Sequence, residues 1–103
     1  MQPLSRVTPA TIDVLSVLDA ASDPTWGLAI IKASGRPAGS VYPILERLEQ
    51  TGWVTSAWED DPERVGPRRR FYRLTDAGAT AARQAIVAYA QRHRSTSATA
   101  VTS

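Results

Sequence analysis

Five of the 12 basic residues in this 103-residue chain, Arg64, Arg68, Arg69, Arg70 and Arg73, fall within ten consecutive positions. Guanidinium groups at that density present planar forks of donors to phosphate oxygens and stay charged at every physiological pH. Glu59, Asp60, Asp61 and Glu63 stand directly before them, so the segment is polarised. Taken alone, it reads equally well as a solvated hairpin with internal ion pairing. A second set of positions with chemical potential opens the stretch 37–51. Small residues at 38, 39 and 40 let a large surface approach closely, and a helix beginning there would offer unpaired backbone N–H groups to an anion, phosphate being the natural candidate. Arg36, Ser40 and Arg47 add charged or hydroxyl donors, while Ala38 and Pro43 suit apolar contact with a thymine methyl.

The elements that must hold these groups can be read from caps and periodicity. Residues 1–7 form a short arm, and Thr8 followed by Pro9 matches an N-cap with proline at the first helical position. Ile12, Leu15 and Leu18, with Val14 and Val17 beside them, give a broad apolar face through about Ala21, where Ser22-Asp23-Pro24 stops the helix. Thr25 can cap a second helix through about Ser34, with Leu28, Ile30 and Ile31 on its buried side and Gly35 at its end. Pro37 then opens a third helix that runs to Thr51 and stops at Gly52, and so short a turn makes a helix-turn-helix. Residues 53–58 and 69–74 are rich in strand formers and should pair as a hairpin. Between them, Pro62, Gly66 and Pro67 mark a polar tip, the wing. Thr75 caps a last, alanine-rich helix that fades near Arg94.

At about 100° per residue, Val41, Ile44, Leu45 and Leu48 gather on one side of the third helix and form its core face. Gly39, Pro43, Glu46, Arg47 and Gln50 fall opposite, with Ser40 and Tyr42 on the flanks. A proline within a helix normally costs ~3 kcal/mol, a cost softened at Pro43 by its outward position in the first two turns. Taken alone, this face reads slightly better as an ordinary surface carrying Glu46, Glu49 and Arg47 in ion pairs. Beside an arginine-rich hairpin tip, such a face suits a double helix.

Three runs of residues together resemble the PadR family of bacterial transcriptional regulators: Trp26-Gly27; Gly39-Ser40-Val41-Tyr42-Pro43-Ile44-Leu45-Glu46-Arg47-Leu48-Glu49 with Gly52-Trp53-Val54; and Arg68-Arg69-Arg70-Phe71-Tyr72-Arg73-Leu74-Thr75-Asp76-Ala77-Gly78. The resemblance covers about residues 8–90. It implies a winged helix-turn-helix homodimer, usually a repressor, with the third helix in the major groove and the wing on the backbone or minor groove. Gly39, Ser40, Tyr42 and Pro43 match the recognition motif, and Arg68, Arg69 and Arg70 match the basic wing. Dimerisation through the C-terminal helix is the family's usual mode. The single helix of modest length here, in place of an added domain, leaves little room for an effector pocket.

The expected fold is therefore mainly α with a small β-hairpin. A winged helix-turn-helix domain would span residues 1–75, a C-terminal dimerisation helix 76–94 and a disordered tail 95–103. Trp53 is expected in the core, whereas Trp58 is open to either a structural or a ligand-stacking role. No catalytic constellation is visible: His93 is the sole histidine and falls at a frayed helix end, and no Walker-type phosphate loop occurs. The chain has no cysteine, which removes disulfides and thiolate metal sites, and no cofactor or metal is expected. No apolar run approaches ~18 residues and no signal-peptide pattern is present, so a cytoplasmic location without membrane contact is expected. The expected partners are a palindromic duplex operator, a second copy of the chain and, as an open matter, a small-molecule effector. The rival reading is a winged-helix module whose arginines bind an acidic protein.

Overall fold

The computed structural model describes residues 1–4 and 6–102, with residues 95–102 described by backbone alone. In chain order the elements are α1 (Pro9–Ala20), β1 (Thr25–Trp26), α2 (Gly27–Ser34), α3 (Ala38–Gln50), β2 (Val54–Trp58), β3 (Arg70–Leu74) and α4 (Asp76–Thr102). The local signals at helix ends act as expected. The Thr8 hydroxyl accepts from the Thr11 backbone N–H at 3.2 Å, Pro9 occupies the first turn of α1, and Gly35 closes α2 in the left-handed region at φ 70°.

Four features differ from the sequence expectation. Thr25 does not cap α2. It lies with Trp26 in extended backbone paired antiparallel to β3, Thr25 opposite Tyr72 and Trp26 opposite Phe71, so the expected hairpin is the larger part of a three-stranded sheet ordered β1-β3-β2. The cause is a pairing between distant segments, which no local pattern reports. Leu28, expected on the buried side of α2, is 41% exposed, whereas Ile30, expected there with it, is fully buried. Further along, α4 continues past Arg94 to Thr102, since neither Gly nor Pro interrupts the alanine-containing run that follows. Pro37 is the N-cap of α3 rather than its first residue, a shift of one position.

The core forms where α1, α2, α3 and the start of the hairpin meet. Leu15, Ile30, Leu45 and Leu48 are fully buried there, with Trp53, Val54, Tyr72 and Ala82 closing one side. All four apolar residues assigned to the inner face of α3 are buried. Trp53 is core as expected, and its indole N–H donates to the Gln2 carbonyl at 2.7 Å while the Gln2 N–H donates to the Thr51 carbonyl at 2.8 Å. The N-terminal arm is thereby strapped over the exit from α3. At the start of α4, the Thr75 hydroxyl donates to the Gly52 carbonyl at 2.9 Å and accepts from the Gly78 N–H at 2.9 Å. Gly78 lies against the Trp53 backbone: a Cβ there would stand 1.9 Å from the Trp53 carbonyl oxygen. The Thr-Asp-Ala-Gly run is thus a joint that fixes α4 to the point where α3 hands over to β2.

Candidate nucleic-acid interface

The burial of Val41, Ile44, Leu45 and Leu48 forces the rest of α3 outward. Ala38, Gly39, Tyr42, Pro43, Glu46, Arg47 and Gln50 are exposed, and Ser40 is half-buried. A Cβ at Gly39 would meet no atom within 4 Å, so nothing in this chain's own packing calls for a glycine there. Glycine within a helix costs ~0.5–1 kcal/mol relative to alanine, and Pro43 leaves the Gly39 carbonyl without its helical donor. Both residues weaken α3 on the side that faces away from the body. Pro43→Ala is accordingly expected to raise the melting temperature or leave it unchanged while altering which duplex sequences are retained in a binding-site selection. A lower melting temperature would show that Pro43 serves the fold.

The wing rises beside this face. In the hairpin Val54 pairs with Leu74 and Trp58 with Arg70, and alternation turns Ser56, Trp58, Arg70 and Tyr72 toward α3. Glu49 of α3 ties the two together, accepting from the Ser56 hydroxyl and pairing with Arg70 Nη2 at 3.4 Å. Farther out, Glu59 is neutralised by Arg64 at 2.5 Å, and the Arg64 guanidinium also bonds the Pro67 carbonyl. The acidic run before the arginines is thus partly consumed within the wing, leaving Asp60, Asp61 and Glu63 exposed.

Aromatic rings hold the wing arginines. Arg69 Cζ lies 4.1 Å from the ring centroid of Trp26 in β1. Trp58 has two more guanidinium groups within reach of its ring, with Arg70 Cζ at 5.0 Å and Arg68 Cζ at 5.8 Å from its centroid. Arg68 also donates to the Glu59 carbonyl at 3.2 Å. Side chains placed this way lose less freedom when they meet an anion. Between these rings and the flank of α3 lies a cleft of about 400 Å³, bordered by Tyr42, Trp58 and Arg68 among others. Burial raises the Tyr72 phenol above its usual range, with Arg70 opposing the shift, so the hydroxyl under this cleft stays protonated.

The structure brings Gly39, Ser40, Tyr42, Pro43 and Arg47 onto one helix and sets Arg68, Arg69 and Arg70 along its flank. Arg36 stands apart, with its Nε 2.7 Å from Asp13 Oδ2 on α1. An exposed pair of this kind is worth ~0–1 kcal/mol, so Asp13 engages Arg36 without locking it. Sequence reasoning missed two partnerships. Gly27 is buried because the Tyr42 ring lies over it, and a Cβ there would come within 2.8 Å of the ring. This gives the Trp26-Gly27 pair a physical reason. The Trp26 platform for Arg69 had no local signal, whereas period-two alternation does put Trp58 on the same strand face as Ser56.

Helices packed as a helix-turn-helix with a flanking three-stranded sheet define a winged-helix protein. The model of the Transcriptional regulator PadR-like family matches residues 14–84, and the chain belongs to that family. Solved structures agree on the fold. A PadR family transcription regulator from a hypervirulent Clostridium difficile is similar at 22% identity and a TM-score of 0.65, over 89% of this chain and 94% of that one. A putative DNA-binding protein from Ralstonia eutropha is 26% identical at a TM-score of 0.60, over 77% and 96% of the two chains. BpsR of Bordetella bronchiseptica, whose DNA binding is regulated by 6-hydroxynicotinic acid, is 22% identical at a TM-score of 0.68, over 92% of this chain and 67% of its own. No curated protein matches. Among the described residues, no helix is long and apolar enough to cross a membrane.

Proposed function

We propose that the protein is a sequence-specific double-stranded DNA-binding transcriptional regulator, a repressor acting as a homodimer. In this reading α3 enters the major groove with Ala38, Gly39, Ser40, Tyr42, Pro43 and Arg47 toward the bases and nearby phosphates. Arg68, Arg69 and Arg70 lie on the backbone or in the minor groove, and Arg36 reaches a phosphate on leaving Asp13. The observation that carries it is the continuity of an outward α3 face, on which Ala38, Gly39, Pro43 and Arg47 are exposed, with a row of aromatic-backed arginines along its edge. Family membership supports the same conclusion. The homodimer is supported by α4: its 27 residues span ~40 Å, and Val87 on it is 52% exposed although apolar. A second copy packed there would bring two α3 helices ~34–36 Å apart onto a palindromic site. A small-molecule effector, of the kind BpsR answers to, would act by changing that spacing.

Titration with salt tests the reading. Binding to a random-sequence duplex should weaken linearly in log affinity against log salt concentration, with the protein at the mass of two chains by light scattering at micromolar concentration. No binding at ~50 mM salt would refute DNA recognition, and a one-chain mass would refute the dimer.

A further inference from the structure

An exposed tryptophan on a strand needs a reason, because the indole buries more apolar area than any other side chain and usually has a bonded N–H. Trp58 is 52% exposed, and its N–H has no hydrogen-bond partner among the described residues. It contributes nothing to the core, unlike Trp53. Its ring stands on the wing face turned toward α3, opposite Arg70 in the ladder, and it borders the same cleft as Tyr42, a residue 46% exposed. Tyr42 flanks the outward face of α3, so the cleft is the corner where that face meets the wing. One wall is aromatic, and the rim carries three guanidinium groups already oriented on indole rings.

We propose that this corner is a seat for one segment of the DNA sugar–phosphate backbone, and that Trp58 is a direct contact residue in it. The indole edge donates its N–H to a phosphate oxygen while the ring covers the adjacent deoxyribose, and Arg68 and Arg70 neutralise the phosphate from either side. Charge selects the occupant: an apolar partner would strand three guanidinium groups, whereas a sugar phosphate offers both an apolar ring and an anion in one repeat. The inference rests on the DNA-binding reading and adds to it a residue that neither the recognition-helix motif nor the basic wing contains.

The test uses the full chain labelled with 5-fluorotryptophan, whose three fluorine resonances are assigned with Trp26→Phe, Trp53→Phe and Trp58→Phe. A random-sequence 30-base-pair duplex is added at low salt while anisotropy of labelled duplex reports binding. The Trp58 resonance should shift with saturation while that of buried Trp53 stays in place, and Trp58→Ala should lower affinity about tenfold, as truncation of an interface tryptophan does. Trp58→Phe should retain part of that loss, through the missing N–H. Melting curves of both variants should match the unmodified protein, because the side chain is exposed. Duplex that binds with an unmoved Trp58 resonance and affinity within twofold for Trp58→Ala overturns the seat alone. A Trp58 shift produced by polyglutamate and not by duplex assigns the corner to an acidic protein and overturns it too. An unmodified protein that binds no duplex removes both the seat and the reading beneath it.

Discussion

Gly78→Ala is expected to cost about 3–5 kcal/mol, a large share of the ~5–15 kcal/mol that stabilises a domain of this size. The added methyl would sit 1.9 Å from the Trp53 carbonyl oxygen, 2.7 Å from its carbon and 2.8 Å from its Cα, all backbone atoms with no rotamer to change. Relief requires α4 to lift from the exit of α3, which breaks the hydrogen bonds of Thr75 to Gly52 and Gly78 and loosens the buried Ala82. Alanine's better helix propensity returns only ~1 kcal/mol. Thermal melting should fall by roughly 15–30 °C. Gly39→Ala serves as the control, since that methyl meets open space; it should stabilise by ~0.5–1 kcal/mol. If both glycine variants melt together, the close approach of α4 to Trp53 is not as described.

The second large effect concerns the wing. Arg69→Ala combined with Arg70→Ala should weaken binding to every duplex on the order of a hundredfold at low salt and reduce the salt slope by about two, one for each phosphate contact removed. Both side chains are only half-buried, on a sheet whose core contacts come from Val54 and Tyr72, so melting should change little. Arg70 also neutralises Glu49, and its removal leaves an unpaired carboxylate on α3 that adds to the loss by repelling phosphate. Pro43→Ala should behave in the opposite manner, changing preference among sequences with little effect on the slope. The two variants thereby separate electrostatic affinity from base reading. A slope unchanged in the double variant would place the arginines away from the duplex.

Much of this arrangement is legible in the chain before any coordinates. The inner face of α3 follows from the spacing of Val41, Ile44, Leu45 and Leu48, and with it the outward side that carries Gly39, Pro43 and Arg47. Thr8, Gly35 and Thr75 mark helix ends through bonds or backbone angles that involve neighbours in sequence. The turn residues between β2 and β3 require a hairpin, and composition places its charge at the tip.

Other features depend on residues that meet only after the chain has folded. Whether Thr25 caps a helix or joins a sheet is decided by Tyr72, and whether Gly27 is free or obligatory is decided by the ring of Tyr42. The rings beneath Arg68, Arg69 and Arg70 come from two strands that are not adjacent in sequence, one of them only two residues long. Arg36, which sequence groups with the recognition helix, is claimed by Asp13 across the helix-turn-helix. Periodicity and capping act within a few residues, so the sequence by itself determined the elements and their faces. Pair geometry between distant segments depends on how those faces dock, so only the tertiary structure decided which side chains share the corner between α3 and the wing.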